Sequence, residues 1–124
     1  MHTVRRLGWA GVVPHFRGCG GTANRLPRAY HSGDAAEIAW ILQRMASAGR
    51  PVFAAGVSLG GNALLKWLGT GGESCAALVC AAAAISAPLD LTAAGAALRR
   101  GFNRVYTHEF LRTLVPKTLR KAQR

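Results

Sequence analysis

Cysteine is scarce in this chain, and its spacing rules out two kinds of stabilised fold. Cys19, Cys75 and Cys80 are three in number, so they cannot all pair within one chain, and none stands in a C-x-x-C. A disulfide framework is excluded, no metal or cofactor is expected, and reduced cytoplasmic thiols are the default. Long apolar runs are missing too. The longest, residues 75–85, is about half the ~20 residues that a membrane span requires, so no transmembrane segment is expected and the run reads as a buried strand. The opening MHTVRRLGWAGVV carries bases, but Gly11 breaks its apolar stretch and Pro14 ends it, which excludes a cleavable signal peptide. Neither an internal repeat nor a low-complexity linker is found.

Acidic residues are few: five Asp and Glu against sixteen Lys and Arg, for a formal charge of +11 over 124 residues. The excess is uneven. Residues 1–50 hold seven Arg against Asp34 and Glu37, residues 51–98 hold only Lys66 against Glu73 and Asp90, and residues 99–124 hold eight bases against Glu109. Basic ends flanking a nearly neutral middle argue against a protein wrapped uniformly in nucleic acid. Half the residues are apolar, too many for a disordered tail, and the length allows one domain at most.

What is present alternates between strand and helix. Residues 9–16, with Val12 and Val13 at their centre, predict a brief strand running into a Gly-rich loop, with Pro14 at its end or where no ladder bond is needed. Asp34 and Glu37 have capping-box spacing, Ile38, Ile41, Leu42 and Met45 form one helical stripe, and Gly49 stands where a C′ glycine belongs. PVFAAGV from Pro51 is a continuous apolar run of strand length, and Leu64, Leu65, Trp67 and Leu68 return to helical spacing. CAALVCAAAAIS predicts a third strand, buried on both faces because it lacks alternation. The expected class is α/β, a parallel sheet covered on both sides. Beyond Pro88 the chain reads as basic helical pieces joined near Gly101 and Pro116.

The segment Gly56-Val57-Ser58-Leu59-Gly60 is G-x-S-x-G, fed by a strand and left by a helix. The glycines have a steric reason: a sharp turn forces the serine into a strained conformation and brings backbone too close for a Cβ. Ser58 would then project its hydroxyl above the sheet, and the Leu59 N–H would face a developing oxyanion. A serine before a helix is also an ordinary N-cap; the flanking glycines, with Gly61, favour the nucleophile. Such a serine needs a base, in the chain order Ser, Asp or Glu, His. After Ser58 the only histidine is His108, and Asp90 is the acid in the right order, but helical sequence separates them without a strand to carry His108 back. Glu109 follows the histidine, and His15 and His31 precede the serine and read as loop or element-end polar groups.

The strings HFRGCGGTANRLPRAYHSGD, GVSLGGNALLKWLG, ISAPLDL and RGFNRVY resemble the α/β-hydrolase superfamily in its AB hydrolase 4 family, from about Trp9 to Lys121. The resemblance implies Ser58 as nucleophile, the Leu59 backbone as one oxyanion donor, and a partial α/β-hydrolase fold with flanking strands missing. It divides one partial domain, 1–124, into a sheet-and-helix core over 9–91 and a basic lid segment over 92–124. Gly20 stands where the family more often has serine, and Cys19 is given no catalytic role. The His-Gly loop that supplies the second donor would precede Trp9, and the family's catalytic Asp and His would follow the chain's end. A whole domain of this type needs roughly 250 residues, so the chain reads as its middle. The implied function is hydrolysis of small-molecule carboxylic esters, medium-chain or lipid-like, by Ser58. The alternatives are an inactive fragment, a basic module using Arg99, Arg100, Arg104, Arg112, Lys117, Arg120, Lys121 and Arg124 on anions, or an acyltransferase with the same serine. Specific nucleic-acid binding is not expected.

Overall fold

The computed structural model describes residues 2–22, 24–26 and 28–122. The chain divides into two compact units, Met1–His31 and Ser32–Arg124.

The first unit opens on a short helix, α1 (His2–Arg6), and continues without regular structure. The strand predicted over residues 9–16 does not form. Strands need partners, and among the described residues of this unit there is no other strand; Val12 and Val13 stay 60% and 63% exposed, and Pro14 has no N–H to offer a ladder. The Gly-rich loop does form. The Cys19 N–H donates to the Phe16 carbonyl at 2.8 Å, and Gly18 and Gly21 take φ of 75° and 88°, which a side chain would strain. Phe16 stacks on Tyr30 with ring centroids 5.4 Å apart. Burial, and secondarily the hydrogen-bonded Cys19 thiol, push the Tyr30 phenol above its usual value.

The second unit begins with α2 (Ala35–Ala46). Asp34 stands at its N-cap and is buried, but its carboxylate makes no capping bond, so the predicted capping box is not closed. At the other end, Ser47 and Gly49 donate to the carbonyls of Gln43 and Ala46, and Gly49 turns the chain with φ 68°, one position beyond the expected C′ because the helix stops at Ala46. Strand β1 (Phe53–Val57) follows, then α3 (Leu59–Gly71), a 3-10 segment (Gly72–Ala77) and strand β2 (Ala81–Ile85). The strands are parallel with Phe53 opposite Ala81 and Val57 opposite Ile85. Backbone bonds extend the ladder at both ends, Cys80 N–H to the Val52 carbonyl at 2.8 Å and Ser58 N–H to the Ile85 carbonyl at 2.9 Å.

The core lies where α2, α3 and the sheet meet: Leu42, Leu64, Trp67, Cys75 and Val79 are buried, with Ile38, Val52 and Ala54 packed against them. Trp67 anchors it, and the Cys75 thiol donates to the Trp67 carbonyl at 3.5 Å. The sheet is not covered on both faces as predicted. Along β1, Ala54 and Gly56 are shielded while Phe53 and Val57 remain 58% and 62% exposed, and every residue of β2 is exposed. Two strands with helices on one side leave the other face open. The predicted third strand is also shorter than its apolar run, because Cys75–Ala77 form part of the 3-10 segment and the strand itself is limited to residues 81–85. An unbroken apolar run of this length suits a buried helical turn as well as a strand.

Beyond β2, Asp90 caps α4 (Leu91–Leu98) by accepting the Ala93 N–H at 2.9 Å. Gly101, at φ 54°, turns the chain into α5 (Asn103–Ala122). The Thr107 hydroxyl donates to the Leu98 carbonyl at 2.7 Å across this corner. Pro116 lies inside α5 and is not the joint the sequence predicts. It deletes one backbone N–H, a loss that a twenty-residue helix with more than three turns before it can carry. The side chains of Lys117, Arg120 and Lys121, and all of Arg124, lie outside the described residues.

Candidate active site

The C-terminal end of β1 turns directly into α3 through one residue. Ser58 has φ 52° and ψ −120°, a conformation an L-residue adopts only under constraint. The constraint is visible in the neighbouring backbone. A Cβ on Gly56 would lie 2.5 Å from the Gly60 oxygen and 2.7 Å from the Gly61 nitrogen, and one on Gly61 would meet the Ala87 Cβ and the Gly56 oxygen, each at 2.9 Å. Strand and helix therefore touch main chain to main chain, which only glycine allows. The sequence pattern gave Gly61 a supporting part only. In the fold it carries as much of the steric requirement as Gly56.

Both backbone groups of Ser58 are pinned, its N–H to the Ile85 carbonyl and its carbonyl by the Asn62 N–H at 3.0 Å. Its side chain is exposed, makes no capping bond to α3, and has no hydrogen bond among the described residues. The ordinary N-cap reading of this serine therefore lacks its bond. Leu59 is the first residue of α3, so its N–H has no acceptor within the helix and sits at the positive end of the helix dipole.

Asn62 is the residue sequence reasoning missed. Its side-chain carbonyl accepts the Gly33 N–H at 2.9 Å, and its amide donates to the Pro88 carbonyl at 2.9 Å. One half-buried amide thus ties the entry to α2 and the exit from β2 to the helix that carries Ser58. The available signal was weak: an asparagine in the first turn of a helix, otherwise apolar on that side.

The candidate triad partners are not brought together. Asp90 is the N-cap of α4. His108 lies on α5 in an open hollow with Leu98, Arg99, Arg104 and Leu111, and Glu109 pairs with Arg112 at 3.2 Å. No hydrogen bond among the described residues joins Asp90 to His108 or His108 to Ser58. His15 and His31 belong to the first unit, both exposed, with His15 beside Gly20. Among the described residues no three His, Cys, Asp or Glu side chains cluster as metal ligands would, and no helix is long and apolar enough to cross a membrane.

A strand, a one-residue corner and a helix, returning to a parallel neighbour, is the unit on which one large enzyme family builds its sites, and residues 2–122 match the alpha/beta hydrolase fold family. The chain belongs to that family. This hydrolase-family chain is 39% identical over 123 residues to the protein named "Putative esterase YheT" of Escherichia coli (strain K12), an alignment covering 98% of this chain and 36% of that protein. It is 30% identical over 123 residues to "Phospholipase ABHD3" of Mus musculus, covering 98% and 29% respectively. The chain thus spans about a third of the length of these curated relatives. No solved structure matches it significantly.

Proposed function

We propose that this chain carries the nucleophilic part of a serine hydrolase acting on carboxylic esters, medium-chain or lipid-like, with Ser58 as nucleophile and the Leu59 N–H as one oxyanion donor. The observation that supports this most directly is the pairing of a strained, exposed serine, its hydroxyl without a hydrogen bond among the described residues, with the first N–H of α3. The names of the two relatives, an esterase and a phospholipase, point to the same bond class.

On this reading the Ser58 oxygen attacks the ester carbonyl and its proton passes to a base. The carbonyl oxygen takes up the negative charge against the Leu59 N–H, and the alkoxide leaves with the proton. Water then repeats the sequence on the acyl-serine. Asp90 and His108 are not assigned as the acid and base, because one caps α4 and the other faces outward on α5. The base and the second donor are assigned instead to the two-thirds of the relatives' length that this chain does not span. The sheet-and-helix core expected over 9–91 starts on this reading at Ser32, where the second unit begins, and the basic segment expected over 92–124 is the start of a helical lid.

Labelling with an alkyl fluorophosphonate, mapped by mass spectrometry, tests the assignment. An intact oxyanion hole and binding site retain about 10³-fold or more over water when triad members are lost; with one donor in this chain the rate is lower still, so slow but selective modification is expected. One adduct should form, on Ser58, and vanish in Ser58→Ala. Adducts spread over other serines, or none, would overturn the reading. Turnover of p-nitrophenyl esters by the 124-residue chain should stay near that of Ser58→Ala. Fast turnover lost in that variant would bring Asp90 and His108 back as partners.

A further inference from the structure

Among the described residues two non-glycine residues have positive φ, and they are neighbours: Ser58 at 52° and Ser86 at 48°. Each is the first residue after its strand, Ser58 after β1 and Ser86 after β2, and the strands are parallel with Val57 opposite Ile85. The next pair in that register is Ser58 and Ser86. The ladder reaches that far, since the Ser58 N–H still bonds the Ile85 carbonyl. Adjacent parallel strands lie about 4.8 Å apart, so the two serines stand side by side at the carboxyl edge of the sheet, where open α/β sheets bind ligands.

The strain at Ser58 has a use in the proposed reaction; that at Ser86 is held by the packing of the two residues after it and leaves its own hydroxyl free to act. Ser86 is exposed, its side chain has no hydrogen bond among the described residues, and no turn glycine relieves its backbone. A left-handed serine costs about 1 kcal/mol or more and persists only where the surroundings over-determine it. Here they do. Immediately after it, Ala87 packs against Gly61 so closely that no Cβ fits between them, and the Pro88 carbonyl is held by the Asn62 side chain at 2.9 Å. Asn62 in turn lies in the first turn of α3, with its own N–H on the Ser58 carbonyl at 3.0 Å. One residue therefore fixes both serines.

We propose that Ser86 is a second substrate-contacting residue of the Ser58 site, its hydroxyl donating to an ester oxygen or a polar group beside it, with Asn62 as the positioning residue that presents it. The inference rests on the nucleophile assignment above and adds to it a polar contact on the side of β2. It requires a substrate with a hydrogen-bond acceptor next to the scissile carbonyl, as an alkoxy oxygen or a glycerol-type ester provides.

The experiment compares the second-order rate of Ser58 modification by an alkyl fluorophosphonate in the parent, Ser86→Ala, Ser86→Gly and Asn62→Asp, with thermal unfolding of each. Ser86→Ala removes the hydroxyl and keeps the strain, and Ser86→Gly removes both. The rate should fall about three- to tenfold in both, the range of one hydrogen bond. The midpoint of unfolding should hold in Ser86→Ala and rise in Ser86→Gly. Asn62→Asp keeps the acceptor for Gly33 and loses the donor to Pro88, and should slow labelling as well. A loss of rate in the glycine variant despite its greater stability is a result that a purely structural serine would not give. Rates within twofold of the parent in both Ser86 variants, or rates that simply follow the unfolding midpoints, overturn the proposal while leaving Ser58 in place. Absence of a Ser58 adduct in the parent overturns both readings.

Discussion

Gly56 lies just before α3 and Gly69 in its last turn, and a single methyl group separates their roles. At Gly56 a Cβ would press on the Gly60 carbonyl at 2.5 Å, while at Gly69, inside α3, nothing lies within 4 Å. Neither contact partner of Gly56 can move without breaking the corner, because both are main chain. Gly56→Ala should therefore cost on the order of 3 kcal/mol in urea unfolding, in the range of overpacked cores, and abolish Ser58 labelling. Gly69→Ala should stabilise by roughly 0.5–1 kcal/mol, because alanine loses less backbone freedom in a helix and meets open space. Asp90 gives a second test at this scale. As the cap of α4 it is served equally by asparagine, so Asp90→Asn should leave stability nearly unchanged and Asp90→Ala should cost about 1 kcal/mol. A catalytic carboxylate would behave differently: the asparagine variant would then lose ester turnover in full, whatever its stability.

At the scale of elements, α3 joins the corner to the core, since the helix that begins at Leu59 buries Ala63, Leu64 and Trp67 on its inner side. Trp67 is 6% exposed and in the cluster with Leu42, Cys75 and Val79. Trp67→Ala should cost about 3–5 kcal/mol, read by loss of cooperative unfolding, and should loosen the 3-10 segment whose Cys75 thiol bonds the Trp67 carbonyl. These elements were legible in the sequence because each wrote its own period. The stripe of Ile38, Leu42 and Met45, the run ending at Val57 and the spacing of Leu64, Trp67 and Leu68 all appear where the residues predict them. Residues 9–16 were misread for the opposite reason: an apolar run states a preference, and only a partner strand makes it a strand. Cys75 and Val79 are apolar and buried, yet Cys75 lies in the 3-10 segment and Val79 in the connection to β2, since burial alone does not separate a turn from a strand. The corner at Ser58 was legible through its glycines, whereas Asn62 and Ser86 were not. Their parts depend on a bond to Pro88 and on strand register, which no local pattern encodes.

For the molecule as a whole, two large features oppose one another. Among the described residues the sheet of the second unit has two strands and an open face, with Phe53, Val57 and Ile85 each more than half exposed, while the chain carries a formal charge of +11. Exposed strand edges template pairing with another copy, whereas net charge of one sign keeps copies apart. The balance depends on ionic strength, because charge repulsion between exposed groups is screened over about 10 Å at 0.1 M salt and about 3 Å at 1 M, while apolar association is not weakened. Light scattering should therefore find the 124-residue chain dispersed at low salt and increasingly associated as sodium chloride rises, with infrared absorption shifting toward intermolecular strand. Replacing Val57 and Ile85 by lysine should suppress that association more than adding two lysines to α5, because only the former place charge on the open strands. A monomer that stays dispersed across the whole salt range and unfolds reversibly would mean that these strand edges are not the interacting surface.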